Sequence, residues 1–337
     1  MKVAVIGCGI MGKTHANAYR ELPGAELVGV CDFVEEAARA TAEQYETQPY
    51  FSFEDMIEKA KPEAVSICLP THLHKEYVIK AAERGVHVIC EKPMAPTLSE
   101  AREMIEVCKT NGVRLFIAHV VRFFPSYKDI TRQVMNGAVG NVGVVHTKRI
   151  GGRPGQTKAW YNDKSKSGGV IMDLMIHDID FVRGIAGEIK SVYAMERSTE
   201  NMDYSLVTLR FDNGAMANLE AFWGYPGPFT TAVEVAGNKG VVRFNSEQTH
   251  SVRIHKTADS EDGGKTVSRT ASPTLRDPYY YELEHFLECI RTGAEPLVTA
   301  EDGYRAVEVS LAALESIRTG AVIDMRQFQS EAGRENV

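Results

Sequence analysis

The sequence has no CxxC pair, no long apolar run and no surplus of positive charge, and each absence removes a class of function. Its six cysteines, at positions 8, 31, 68, 90, 108 and 289, lack metal-finger spacing. That argues against structural zinc or a disulfide scaffold and for reduced thiols in a cytoplasmic protein; no metal is expected. No apolar run approaches the roughly 20 residues a membrane span needs, so a membrane is not an expected partner. The first residues, MKVAVIG, carry one lysine and an apolar run too short for a signal peptide. Lys plus Arg number 38 against 45 Asp plus Glu, a formal net charge of −7. With no cationic surplus to neutralise phosphates, nucleic acid is not an expected partner either.

What is present is the composition of an ordinary globular protein, and 337 residues at about 150 per domain suggest two domains. Up to residue 118, short apolar runs alternate with helical patterns: Val3 to Ile6, Leu27 to Cys31, Ala64 to Leu69, Val86 to Cys90 and Arg114 to Ala118. Runs this short and continuously apolar suit strands buried on both faces, joined by crossover helices. The expectation is an α/β domain over residues 1–120, a doubly wound parallel sheet. Cys8, Cys31, Cys68 and Cys90 fall in or just after these runs and read as small buried filler.

After Pro125 the pattern turns to strands: Val142 to Ile150, Ile189 to Glu196, Ser205 to Phe211, Met216 to Phe222, Ala232 to Ala236, Val241 to Phe244 and Val252 to His255. Asp212-Asn213-Gly214 and Gly237-Asn238-Lys239-Gly240 read as hairpin turns supplying positive φ. Residues 121–337 are therefore expected to form an α+β domain with a largely antiparallel, open-faced sheet. The helical segments Pro278 to Arg291 and Ala300 to Arg318 should cover one face of it or return to the first half. Too few helices remain to cover both faces, so the open face is expected to meet another subunit. The polar stretch from His255 to Asp277 reads as a mobile loop.

Gly7-Cys8-Gly9-Ile10-Met11-Gly12 is a GxGxxG placed directly after the first strand and before a helix. Gly7 would permit the tight turn, Gly9 the approach of a pyrophosphate and Gly12 the packing of helix on strand, with the helix N-terminus facing the phosphates. Asp32 lies 20 residues beyond Gly12, at the end of the second strand. There a carboxylate would accept hydrogen bonds from a ribose diol and repel a 2′-phosphate, which favours NAD over NADP. The bland alternative is a glycine-rich turn with no ligand. Pro70-Thr71-His72-Leu73-His74 and Glu91-Lys92-Pro93 follow the third and fourth runs, where such sheets deliver residues to the ligand crevice. Later, Asp173 and His177 stand four apart on an apolar helix that opens with Ser167-Gly168-Gly169. Taken alone, that DxxxH suits a packed core histidine, an acid–base pair or a metal site.

EKP at 91–93 with its approach Ala82-Glu83-Arg84-Gly85-Val86-His87-Val88, the stretch His119 to Tyr127, the GG–DxxxH helix and Val298 to Gly303 together resemble one family. It is the dehydrogenases typified by glucose-fructose oxidoreductase and inositol dehydrogenase, and the resemblance covers nearly the whole chain. It implies a Rossmann domain binding NAD and a catalytic trio of Lys92, Asp173 and His177. Lys92 would contact the substrate hydroxyls and the nicotinamide end of the site, and the peptide between it and Pro93 is often cis in the family. The expected cofactor set is Gly7, Gly9, Ile10, Met11, Gly12, Asp32, Pro70, Thr71, His74, Glu91 and Lys92. The expected substrate set is Lys92, His119, Arg122, Trp160, Asp173 and His177.

The activity so implied is oxidation of a secondary hydroxyl on a small polyhydroxylated substrate, a cyclitol, sugar or sugar derivative, by a homodimer or homotetramer. Myo-inositol is the single best guess, although Thr71-His72 stands where relatives carry Asn and His119 where they vary. The rivals are an NADP-linked reductase of a keto or imino substrate and a non-catalytic sugar or cofactor sensor. An ionised Asp173 beside His177 would raise the pKa of the imidazole, so that oxidation quickens from neutral into alkaline pH.

Overall fold

The structure, a computed structural model, describes residues 1–154, 159–248, 253–257, 266–270 and 276–332. In the first half, β1 (Lys2–Ile6), β2 (Glu26–Cys31), β3 (Pro49–Tyr50), β4 (Ala64–Ile67), β5 (His87–Glu91) and β6 (Leu115–Ala118) form one sheet in the order β3-β2-β1-β4-β5-β6. Every pairing in it is parallel. Helices α1 (Ile10–Glu21), α2 (Glu35–Gln44), α3 (Phe53–Ala60), α4 (His74–Ala82) and α5 (Leu98–Thr110) make the crossovers. Val3 to Val5 are fully buried because helices cover both faces. Strand order reverses between β1 and β4, so the crevice opens at their carboxyl ends. Two-residue β3 was not anticipated; it is too short to carry a pattern, and its Pro49 suits an edge.

The second half contains α6 (Pro125–Met135), β7 (Val142–Gly151), α7 (Lys164–Ser167), α8 (Ile176–Ala186), β8 (Ile189–Ser198), β9 (Asp203–Phe211), β10 (Met216–Trp223), β11 (Thr230–Gly237) and β12 (Val241–Asn245). With β15 (Ile323–Asp324) these strands form a seven-stranded sheet in the order β12-β11-β7-β10-β9-β8-β15. Of its pairings only β7–β10 is parallel. Alternation is strict: Val207, Leu209, Ala217, Leu219, Ala221, Val233 and Val235 face the core, while Leu206, Thr208, Asn218 and Glu220 stay partly exposed on the other face.

Gly214 adopts the expected positive φ, +89°. Gly237 and Gly240 do not, and close approach accounts for them instead. A Cβ on Gly237 would sit 2.3 Å from the carbonyl oxygen of Val139, and one on Gly240 3.0 Å from that of Ala138.

The stretch read as a loop contains paired strands, β13 (Arg253–Thr257) and β14 (Thr266–Thr270), joined antiparallel; Val252 and the remainder of that stretch up to residue 275 lie outside the described residues. Helix α9 (Pro278–Thr292) returns to the first half: Leu283, Phe286 and Leu287 join its core, with Phe286 stacked on Phe116 at 4.8 Å. Helix α10 (Ala300–Thr319) spans both halves. Val309, Ala312 and Ala313 pack under the second sheet and Ala306 and Val307 against the first. Gly303 lets it close on Ile117, whose Cγ1 a Cβ would meet at 2.7 Å. The last helix, α11 (Met325–Ala332), packs beside β8. Among the described residues no helix is long and apolar enough to cross a membrane.

Candidate active site

One end of the crevice is a glycine-lined cradle at the start of α1. Gly7 has φ +95°, and a Cβ there would lie 2.5 Å from the carbonyl oxygen of Cys68. A Cβ on Gly12 would fall 1.7 Å from the carbonyl oxygen of Gly7, so only glycine lets α1 pack this close. The helix starts at Ile10 with Gly9 as its cap, no side chain capping its amides and no acidic residue in its first turn. Its positive end is thus open to an anion. Asp32 Oδ2 accepts the Cys8 amide at 2.8 Å and Oδ1 the Val34 amide at 2.9 Å. The carboxylate fixes the glycine loop while lining the cleft. Glycines where a side chain cannot fit, an open helix terminus and a carboxylate at the end of β2 fit the diphosphate and adenosine ribose of NAD.

The cleft, about 580 Å³, runs from Gly7, Gly9, Met11 and Asp32 past Pro70 and Thr71 to a reactive end at Glu91, Lys92, Asp173 and His177. Lys92 Nζ donates to Asp173 Oδ1 at 3.0 Å and to the Asp173 carbonyl oxygen at 2.6 Å. The Lys92–Pro93 peptide is cis. Asp173 lies in a wide π turn, Ile171–Met175, that leads into α8. Such turns are enriched at functional sites, and their i→i+5 spacing means that residues four apart no longer stack.

That geometry overturns the expected Asp173–His177 pair. No hydrogen bond joins the two among the described residues; the carboxylate is engaged by Lys92. Burial, followed by the charges of Lys92 and Arg149 and the neighbouring His119, holds the His177 imidazole well below its ordinary titration range. The shift is opposite in sign to the one expected. Arg149 itself is buried beneath the site, paired with Asp178 through contacts of 2.8 and 3.0 Å.

Behind the cleft, Glu91 anchors a buried polar chain. Its Oε1 lies 3.1 Å from His15 Nε2, His15 Nδ1 lies 3.0 Å from Ser66 Oγ, and that hydroxyl lies 2.6 Å from the Tyr19 hydroxyl. Glu91 Oε2 accepts the Lys92 amide at 3.2 Å. Burial works against the Glu91 carboxylate, but the His15 hydrogen bond and nearby positive charge outweigh it and hold its pKa low. The chain thereby fixes the peptide that carries Lys92. Its sequence signal is a histidine three residues after Gly12 on the buried side of α1.

Three assignments need correction. His74 is buried away from the cleft with its ring nitrogens on the carbonyl oxygens of Pro93 and Leu69, at 2.9 and 2.8 Å, so it braces two crevice loops and offers nothing to a cofactor. Arg122 is consumed by Asp180, through contacts of 2.7 and 2.5 Å, and by the Leu297 carbonyl oxygen at 3.0 Å. It clamps α8 to the segment before α10 and does not line the cleft. His119 is fully buried behind His177 and lines no part of the cleft. Ile10 turns its side chain to solvent, leaving only its backbone at the helix start. Trp160 does line the cleft, stacked on Tyr161 at 4.0 Å. Tyr161 and, from the start of α9, Tyr279 also line it and were not anticipated. Among the described residues no three His, Cys, Asp or Glu side chains converge as a metal site would.

Residues 1–119 match the family described as "Oxidoreductase family, NAD-binding Rossmann fold", and residues 131–325 its C-terminal alpha/beta domain. The chain is 32% identical to a scyllo-inositol 2-dehydrogenase (NAD(+)) of Bacillus subtilis, covering 96% of each chain. It is 31% identical to a myo-inositol 2-dehydrogenase of Thermotoga maritima, covering 94% of this chain and 96% of that one. Among solved structures it resembles a myo-inositol 2-dehydrogenase from Lactobacillus plantarum, with TM-score 0.82, 25% identity and coverage of 96% and 99%. It also resembles a levoglucosan dehydrogenase in complex with NADH, with TM-score 0.83, 25% identity and the same coverage.

Proposed function

The chain belongs to the Gfo/Idh/MocA oxidoreductase family, and from that premise we propose that it is an NAD-dependent dehydrogenase oxidising a secondary hydroxyl of a cyclitol or sugar. The observation that carries this is one cleft with a glycine cradle and Asp32 at one end and Lys92, Asp173 and His177 at the other. When bound, NAD supplies the hydride acceptor. Gly7, Gly9, the start of α1 and Asp32 would hold its diphosphate and adenosine ribose, and Pro70, Thr71 and Glu91 border the path toward its nicotinamide end.

Lys92, held by one carboxylate oxygen and the carbonyl oxygen of Asp173, presents its ammonium to the reacting oxygen and stabilises the charge that develops there as the hydroxyl proton leaves. His177 is the base. Its Nδ1 is buried, which leaves Nε2 toward the cleft, and its depressed pKa keeps it neutral and able to accept a proton at neutral pH. Asp173 positions Lys92. Trp160 and Tyr161 give the substrate an amphipathic wall.

The substrate proposed first is myo- or scyllo-inositol, on the strength of the relatives. A panel of cyclitols and aldoses with NAD, followed by nicotinamide absorbance, should show reduction with at least one inositol and little with NADP. Equal use of NADP, or no reduction by any polyol, would refute this reading. Assembly through the open face of the second sheet, as a homodimer or homotetramer, is part of the same proposal. Lys148 with Glu220 and Arg243 with Glu234 give that face both signs of charge, as a self-complementary patch requires; sedimentation reads the outcome. The six free thiols favour a reducing, cytoplasmic home.

A further inference from the structure

A second hollow opens between α6, the last turns of α8 and Leu297 before α10, and none of its residues lines the cleft. Its volume of about 350 Å³ lies within the range of small-molecule sites. Phe181 and Ile185 are its buried part, while Met135 and Leu297 flank it with 61% and 46% of their surface exposed. Apolar residues exposed singly need no explanation, but two that flank a hollow carry its apolar wall out to solvent.

The charged part of the lining is all of one sign: Arg122, Lys128 and Arg132, with no carboxylate beside them in the wall. Arg122 is answered by Asp180 and Asp302, and Arg132 by Asp129 on the same helix. Lys128 is exposed and forms no ion pair among the described residues. One positive charge at the rim is left without a counter-charge. The Arg122 guanidinium is also incompletely used. Its edges are taken up by Asp180 and the Leu297 carbonyl oxygen, but one flat face lies open beside Gly184. A Cβ on Gly184 would stand 3.6 Å from Arg122 Cζ and 3.8 Å from both Nε and Nη2; with the central carbon nearest, that position is above the plane. Glycine is a poor helix former, and neither a positive φ nor a clash requires it at this place in α8. Its effect is to leave the guanidinium face uncovered.

We propose that this hollow is a binding site for a small aromatic carboxylate, its ring stacked on the Arg122 face beside Phe181 and its carboxylate paired with Lys128. A guanidinium whose edges are occupied still stacks on an aromatic ring, and the unpaired ammonium selects an anion. An aliphatic acid would fill the apolar part without the stacking. A neutral arene would stack without the ion pair. The site shares no residue with the cleft, so it stands whether or not the dehydrogenase reading does.

Calorimetric titration of the whole chain with 2-naphthoate tests this. One naphthoate per chain should bind with a Kd below about 1 mM, the affinity that ordinary efficiency per atom gives a ligand of this size. 2-Naphthamide, which lacks the charge, and cyclohexanecarboxylate, which lacks the aromatic face, should each bind at least about 5-fold more weakly. Lys128→Glu, at an exposed position that folding does not depend on, should weaken naphthoate by about 10-fold and leave naphthamide unchanged. Gly184→Leu, which covers the guanidinium face, should abolish binding of both; should that variant fail to fold, Lys128→Glu decides alone. No saturable binding, equal affinity for naphthoate and naphthamide, or a naphthoate affinity that Lys128→Glu leaves unmoved would each overturn the site, the last by placing the ligand elsewhere. Sedimentation in which Lys128→Glu dissociates an oligomer would show a second copy of the chain covering the hollow, and would overturn it as well.

Discussion

Burial, the Lys92 ammonium, the Arg149 guanidinium and the His119 ring all act on His177 in one direction, against its protonated form. A base works only when neutral, so a pKa below the ordinary value of about 6.5 places the loss of activity on the acid side of that value. The expected quickening into alkaline pH therefore gives way to a different profile. The pH dependence of kcat/KM for inositol oxidation should be level from about neutrality upward and fall in acid. Asp173→Asn should leave that acid limb where it is and slow turnover through Lys92; an apparent pKa above neutrality that Asp173→Asn abolishes would restore the Asp173–His177 pair. At this scale the sequence was informative where spacing encodes geometry, as in the glycine cradle and Asp32, whereas DxxxH put Asp173 and His177 in one cleft without pairing them, because the π turn breaks the four-residue stacking. It was silent on His15, buried behind the cleft, and on Tyr161 and Tyr279, which tertiary packing brings to the cleft. His74 and Arg122 misled because a polar residue in a crevice loop can face either a ligand or backbone carbonyls and carboxylates, and only the fold decides which.

Helix α9 illustrates how an element can be legible while its destination is not. Its apolar periodicity marked a helix, but the spacing left open whether it would cover the second sheet or return to the first half, where Leu283 and Phe286 pack. It also carries Glu282, fully buried with neither oxygen partnered among the described residues. Burial, then the charges of Glu91 and Asp180, raise its pKa well above the usual carboxylate range. The folded chain keeps a proton that the unfolded chain releases as pH rises through about 4.5, so this group's contribution to stability declines above that pH. Glu282→Gln removes the titration. In thermal melts its midpoint should gain on the wild type between about pH 5 and pH 8; midpoints that stay parallel would show Glu282 ionised or solvated in the fold. The short strands β3 and β15 escaped notice for a simpler reason, since two residues cannot display a period.

Across the whole molecule the cleft is a joint product. The first sheet supplies the cradle and Lys92, the second half Asp173, His177, Trp160 and Tyr161, and α9 returns with Tyr279. Helix α10 locks the halves together, with Gly303 against Ile117 and Asp302 against Arg183 at 2.6 Å. Such an arrangement separates holding the cofactor from performing the chemistry, and Lys92 stands where that division can be tested. The measurement is NADH binding by fluorescence alongside turnover of inositol with NAD, in the wild type and in Lys92→Met. The account predicts nearly unchanged NADH affinity with turnover lowered by about 10²- to 10⁴-fold. Lost NADH binding with turnover retained at saturating cofactor would move Lys92 to the phosphate cradle and contradict it.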